Sequence, residues 1–514
     1  MKRLLLTLTL LFATISSNYA QAEAPNGGFG VNAYYVDCRA QVPTMEALKT
    51  MVADISRLGL NALVMEWEAT FPFEQHGTLI NEFAFTREQI EDFVAYSNNL
   101  GVDIIPLQNC FGHAEYILRH DRYYALREDI KEISQLCPLK GDLAKPIFEE
   151  IFKDVADLHT SQYIHIGADE TYLLGSCRHC KAIADKHGKS KLFVDYVNTM
   201  SEIILSMGKT PLIWADIILK YPESVDQLSK DIIFVDWNYG WDVDKFGDLQ
   251  PLFDAGITMW GASSLRSHPD NMYITQWMKH FDNLTTFMPH ARKYNYQGMI
   301  QTSWSTSGVY GHQYGHPWEI LGMQPVRLVY PAHAFNIILE AYAQATQNAD
   351  VFNPQEFILQ YAVGHFGVEE SSAVKLYNYM SMPQEVIRRE GKDDKGTPIE
   401  EVIAAAQSLR TEFATFGPKR NKAEYENLVL MLDIRINYLL YKQIHAKHNS
   451  AEYRRTDAAA LLSQLSEVIK ESSRIEKRFR KLNKNFLKDG QWDAHNLART
   501  ETMMELQRTL EASL

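Results

Sequence analysis

The sequence predicts a (β/α)8 barrel, and three observations carry that prediction. From residue 30 to about residue 310, eight short apolar runs alternate with loops and amphipathic helical stretches, the rhythm of a parallel sheet closed on itself. The runs are apolar almost throughout, as strands buried on both faces must be. Each run ends in acidic, aromatic or amide side chains, where barrel enzymes build their sites. An open, doubly wound sheet is the competing fold, but no glycine-rich phosphate loop follows the first run.

The strand candidates are 34–37, 62–66, 103–107, 163–167, 211–214, 232–236, 257–260 and 299–302. Between them, Ile147, Phe148, Ile151, Phe152, Val155 and Leu158 recur at helical spacing. So do Phe193, Val197, Met200 and Ile204, with Gly208 as the stop. After about residue 335 the pattern turns helical, over 402–416, 422–447 and 456–485, with a last helix beyond Asp489-Gly490. The basic run 474–488 keeps Ile475, Phe479, Leu482 and Phe486 as an apolar stripe, so it reads as a solvated helix face. The expected division is a signal peptide at 1–22, a catalytic barrel at 26–335 and a helical supporting region at 336–514.

The signal reading rests on Lys2 and Arg3, the apolar stretch from Leu4 to Ala13, and the small-residue site Ala20-Gln21-Ala22. It implies export to a periplasm or the exterior. No later stretch offers the roughly 20 apolar residues that cross a bilayer. A net charge of −13 argues against a nucleic-acid partner. The five cysteines are too few for a disulfide scaffold, and their odd number leaves at least one outside any internal pairing.

The strand ends carry Asp37 and Arg39; Glu66, Trp67 and Glu68; Asn109 and His113; Asp169 and Glu170; Trp214 and Asp216; Asp236, Trp237 and Tyr239; Trp260 and Ser263; and Trp304. Asp169-Glu170 is the sharpest of these. Two carboxylates facing one substrate repel each other, and one is pushed toward protonation, which suits an acid catalyst. Taken alone the pair has a plain reading, since 64 acidic residues make an Asp-Glu at a helix start common. A lone strand-end tryptophan likewise reads as packing, and His113 as a hydrogen-bonded core histidine. Eight such ends converging read as one pocket. Cys177-Arg178-His179-Cys180 is half a zinc site; Cys137, Cys110 or His187 could complete it, and a disulfide or a free pair fits the spacing equally well. Asn283-Leu284-Thr285 is a glycosylation sequon, meaningful only in a eukaryotic host; the bacterial look of the signal sets it aside.

His165-Ile166-Gly167-Ala168-Asp169-Glu170 resembles the His-x-Gly-x-Asp-Glu signature of family 20 glycoside hydrolases, the β-N-acetylhexosaminidases. Further matches follow in order: Glu66-Trp67-Glu68 with Phe71-Pro72-Phe73-Glu74, Pro106-Leu107 with Phe111-Gly112-His113-Ala114-Glu115, Thr171-Tyr172-Leu173-Leu174-Gly175, Thr210-Pro211-Leu212-Ile213-Trp214-Ala215-Asp216 and Trp260-Gly261-Ala262-Ser263. Together they resemble the hexosaminidase D branch. The resemblance implies an exo-acting enzyme that removes terminal GlcNAc or GalNAc from glycans, with no cofactor and with the substrate's own acetamide as nucleophile. It assigns acid catalysis to Glu170, the acetamide nitrogen to Asp169, and a relay behind the acid to His113 and Glu68, with Glu68 orienting His113. Arg39, Trp214, Trp237, Tyr239, Trp260 and Trp304 would line the sugar pocket. For the tyrosine that meets the acetamide oxygen, Tyr239, Tyr273 and Tyr310 are candidates, with Trp237 as a substitute. Two other readings remain: a barrel glycosidase whose nucleophile is a second carboxylate such as Asp236, and a carbohydrate-binding protein that no longer turns over.

Overall fold

The computed structural model describes residues 28–514 except 268–269, 271–274, 306–328, 349, 351, 385 and 389. The expected signal peptide, Tyr273 and Tyr310 lie outside the described residues. Eight parallel strands close into a barrel: β1 (Val31–Asp37), β2 (Ala62–Glu66), β3 (Asp103–Leu107), β4 (Tyr163–His165), β5 (Thr210–Trp214), β6 (Ile233–Trp237), β7 (Thr258–Arg266) and β8 (Gly298–Ser303). Each pairs with its neighbour in chain order, and β8 returns to β1 through Val31↔Gly298 and Tyr34↔Gln301.

All eight expected runs are strands; β1 begins three residues earlier than expected, β5 and β8 extend by one or two residues, and β4 and β7 depart for local reasons. β4 stops at His165 because Gly167 and Ala168 both take φ 71°, which turns the chain out of the sheet. β7 continues through Gly261-Ala262-Ser263-Ser264-Leu265-Arg266. Those residues lack an apolar run, yet pair with β8 at Ser263↔Gln301 and Ser264↔Thr302.

Alternate residues point inward, as the two-residue period of a strand demands. Ala33, Tyr35, Val64, Ile105, Leu107, Leu212, Trp214, Val235, Trp260 and Ile300 fill the interior as one cluster. The opposite faces join the helices in a second, larger core that also takes in Phe413, Leu428 and Phe479 of the C-terminal region. The helix after the expected boundary, Asn336–Gln347, packs on the barrel: Arg292 donates to the Ala345 carbonyl and Gln347 Nε2 to the Leu58 carbonyl at 2.6 Å.

Four longer helices follow the expected pattern, at Ile399–Phe413, Lys422–His448, Ala458–Asn483 and Gln491–Glu511. The last three share a small core of their own around Leu465, Val468, Met503 and Leu510. They are sewn to the start of the barrel where Thr44 N donates to the Phe486 carbonyl at 2.8 Å and Lys488 N to the Val42 carbonyl at 2.9 Å. No described helix is long and apolar enough to cross a membrane. The sequon asparagine, Asn283, is buried in a helix and donates to Asn238 Oδ1, so it offers no exposed acceptor.

Candidate active site

The acid pair sits on a turn that only a constrained backbone could hold. Leaving β4, Gly167 and Ala168 adopt φ 71° and Glu170 φ 48°; nearby, His113 takes 50° and Glu68 42°. A left-handed conformation costs a non-glycine residue about 1–2 kcal/mol. Among the described residues the other two such cases are both asparagines, which tolerate it. Strain of this kind persists where surroundings over-determine it, and it clusters at functional sites. Here the surroundings are tight. A Cβ on Gly112 would stand 2.0 Å from the Asp169 carbonyl oxygen, and one on Gly167 would stand 2.0 Å from Asn109 Oδ1. Trp214 N donates to the Gly167 carbonyl at 3.0 Å, and Glu170 N to Asp216 Oδ2 at 3.3 Å.

Both acids converge on one imidazole. His113 Nε2 lies 3.4 Å from Asp169 Oδ2 and 3.2 Å from Glu170 Oε2. Burial opposes a charge on this ring, but Asp169 and then Glu170 outweigh it, and the histidine is held well above its ordinary value. Tyr172 OH donates to the other oxygen of Glu170 at 2.6 Å. The structure does not bring Glu68 to the far side of His113. His113 Nδ1 is buried without a hydrogen-bond partner, while Glu68 accepts from Asn109 Nδ2 at 3.1 Å. That amide also reaches Glu66 Oε1 at 2.7 Å. Burial, then the charge of Glu66, pushes Glu68 well above the usual carboxylate range, so Glu68 belongs to a buried acidic group around Arg39.

Arg39 closes on Asp37 at 3.0 Å and approaches Glu66 at 3.7 Å. Burial works to raise Asp37, but the guanidinium outweighs it and the carboxyl lies below its usual range. Tyr35 OH donates to Glu66. The guanidinium also sits 5.3 Å over the Trp304 ring, which carries the cation into the aromatic wall. Trp304 contacts Tyr35 at 4.7 Å and Trp214 at 6.0 Å between centroids, and its Nε1 donates to Tyr239 OH at 3.0 Å. Trp237 packs against Tyr239 in a tilted contact at 5.1 Å, with its own Nε1 buried and unpartnered.

Two expectations fail on direction. Trp260 is buried at the opposite end of the barrel, level with Gly298 at the start of β8 and 5.1 Å from Tyr163 at the start of β4. Its indole plugs the floor and cannot line the pocket. Asp236 alternates with inward Val235 and Trp237, so it faces the helices, where Tyr296 OH donates to it at 2.6 Å. The carboxylate named for a protein-nucleophile mechanism therefore points out of the barrel.

Residues 62–325 match the model of the glycosyl hydrolase family 20 catalytic domain. The chain belongs to glycosyl hydrolase family 20. It is 25% identical to hexosaminidase D of Bos taurus over 290 residues, 52% of this chain and 83% of that protein. Against hexosaminidase D of Homo sapiens it is 26% identical over 254 residues, 46% of this chain, and it spans about half of that protein's length (51%). Its fold is similar to the chitobiase of Flavobacterium johnsoniae, with a TM-score of 0.50 and 15% identity over 94% of this chain and 78% of that one. The chain is thus a glycoside hydrolase on a family 20 barrel.

Within that family 20 site, two residues carried no assigned role from sequence: Asp216, named only as a strand-end acid, and Tyr172, quoted only within a motif. Asp216 is fully buried, and burial together with Asp169 raises it to about 7. Its signal was available: two positions beyond the inward Trp214, it shares that residue's face. Tyr172, by contrast, is an exposed aromatic whose hydroxyl reaches Glu170 only because of the turn. The cysteine pair also gains partners. Cys137 Sγ lies 3.5 Å from Cys180 Sγ and 3.9 Å from Cys177 Sγ, and Glu128 Oε2 lies 3.3 Å from Cys180 Sγ.

Proposed function

We propose that this chain is an exo-acting β-N-acetylhexosaminidase that cleaves terminal GlcNAc or GalNAc from glycans by a retaining, substrate-assisted route. The observation that carries the reading is the convergence of Asp169 and Glu170 on His113 Nε2 at the mouth of an indole-lined barrel. Glu170 gives its proton to the leaving glycosidic oxygen as the bond to the anomeric carbon breaks, and later takes one from the incoming water. The substrate's acetamide oxygen attacks the anomeric carbon from the other side, and its tethering contributes on the order of several kcal/mol. Asp169 accepts the acetamide N–H and stabilises the positive charge that develops there. His113, whose Nε2 stands between the two side chains, holds both in place. The unpartnered Nε1 of Trp237 is offered to the acetamide oxygen, while Arg39, Trp214, Tyr239 and Trp304 wall the sugar. This route departs from the usual pair of protein carboxylates, and the outward turn of Asp236 favours it over the protein-nucleophile alternative.

The test compares Glu170→Gln with the parent enzyme on nitrophenyl N-acetylglycosides and on an unactivated N-acetyl disaccharide. The variant is expected to lose about 10²–10⁴-fold on the disaccharide and far less on the activated substrate, with a thiazoline analogue inhibiting the parent. Parent-level turnover of the disaccharide by Glu170→Gln refutes the assignment. Retained sugar binding without turnover by the parent marks a binding protein instead.

The exported location and the division at 22, 335 and 336 belong to the same proposal. N-terminal sequencing of the processed protein checks the first: an intact Met1 overturns it.

A further inference from the structure

Three of the five cysteines meet beside the loops that carry the acid pair and its histidine. We propose that Glu128, Cys137, Cys177 and Cys180 form a closed, structural zinc site. Their ligand atoms all lie within 4.8 Å of one another. Zinc bound tetrahedrally by thiolates at about 2.3 Å sets sulfur atoms about 3.8 Å apart, and sets sulfur about 3.5 Å from a carboxylate oxygen. The observed separations are 3.5 and 3.9 Å between sulfurs and 3.3 Å from Cys180 Sγ to Glu128 Oε2. A disulfide would need a sulfur pair at about 2.05 Å and would leave the third thiol stranded.

The supporting contacts are those of a metal site. Cys177 Sγ accepts from Cys180 N at 3.3 Å, and Glu128 Oε1 accepts from Cys177 N at 2.8 Å, so the backbone orients both a sulfur and the carboxylate. Cys137 and Cys180 are almost fully buried. Four protein ligands leave no open position, which makes the site structural and not catalytic. On binding, the three thiols release their protons to solvent and the carboxylate binds as the anion.

The site's place gives it a purpose. Glu128 and Cys137 flank the bridge Arg127↔Leu136 in the loop after β3, and that loop holds the His113 turn through Leu136 N to the Phe111 carbonyl and Ala114 N to the Ser134 carbonyl, both 3.0 Å. Cys177 and Cys180 open the helix Arg178–His187, directly after the acid turn. A metal here would staple the histidine's loop to the loop of the acids.

The experiment is metal analysis of the full chain, purified with neither chelator nor added metal. We expect one zinc per chain, three thiols that resist alkylation until a chelator is added, and a lower melting temperature after chelation that zinc restores. Cys177→Ser should carry less than a tenth of the parent's zinc. If that variant does not fold, the parent's metal content and intact mass still decide. Zinc-free parent protein overturns the site, whether its mass is two hydrogens lighter, as a disulfide requires, or its thiols react freely. Full zinc retention by folded Cys177→Ser overturns it as well. None of these readings depends on which glycoside is cleaved.

Discussion

Trp260 and Trp304 stand at opposite ends of one barrel, and the contrast between their surroundings divides the molecule. Around Trp260 the contacts are apolar or aromatic: Tyr163 at 5.1 Å, and Gly298, whose missing Cβ leaves room for the indole. Around Trp304 lie a guanidinium, two buried carboxylates and a tyrosine hydroxyl. The rim also holds the four left-handed residues Glu68, His113, Ala168 and Glu170, and the buried unpartnered atoms His113 Nδ1, Asp169 Oδ1, Asp216 Oδ1 and Trp237 Nε1. The floor therefore stabilises the fold while the rim costs it stability, as expected where local rules are broken for function.

The strongest way to break this contrast is to exchange the roles. Trp260→Ala should destabilise the protein by about 3–5 kcal/mol, read by denaturant unfolding, while kcat/KM of the folded fraction stays within a few-fold. Trp304→Ala should do the reverse, with a small stability loss and a raised KM. Equal loss of stability in both would erase the distinction.

A second test uses proton linkage. Asp216 has a folded-state value of about 7 against an ordinary 3.8, so the folded protein binds this proton more tightly than the unfolded chain. The stability it contributes is whole below 3.8 and is given up as pH rises toward and through 7. Asp216→Asn cannot ionise. Its melting temperature relative to the parent should therefore climb between about pH 4 and about pH 8; a constant difference would mean that this carboxyl is not strained by its burial. His113 has the same sign, raised above 6.5 by the carboxylates it faces. Its contribution is intact below 6.5 and lost as pH rises through the higher folded value, so the stability gap between the parent and His113→Gln should narrow on the alkaline side.

The smallest effect falls on the backbone. Ala168→Gly relieves a left-handed alanine and should stabilise the fold by up to about 1 kcal/mol, with a lower kcat because the acid turn is less firmly held. If stability falls instead, the φ of 71° is not a strained one.

The barrel was legible because strands buried on both faces are apolar at nearly every position, a pattern that helices and loops do not produce. The rim was legible for a related reason: inward alternation carries Asp37, Glu66, Trp214 and Trp304 to one end of the sheet. The same alternation was misjudged at Trp260, where the apolar run stops at residue 260 but the strand continues to Arg266. A tryptophan that looked terminal is near the strand's beginning. At Asp236 a one-residue difference in phase turns the carboxylate away from the site.

What the chain's order of residues determined alone was the eightfold repeat, the acid pair at the fourth strand end and the helical character of the C-terminal region. Each depends on neighbours a few residues apart. Tertiary structure alone decided that His113 bridges both acids, that Glu68 turns to Asn109 and the Arg39 group, and that Cys137 and Glu128 meet the cysteine pair. These are contacts between side chains tens of residues apart, and their directions depend on how the loops fold over the barrel. The pair Asp169-Glu170 belongs to both accounts: its location was written in the chain, and the left-handed turn that aims it exists only in the fold.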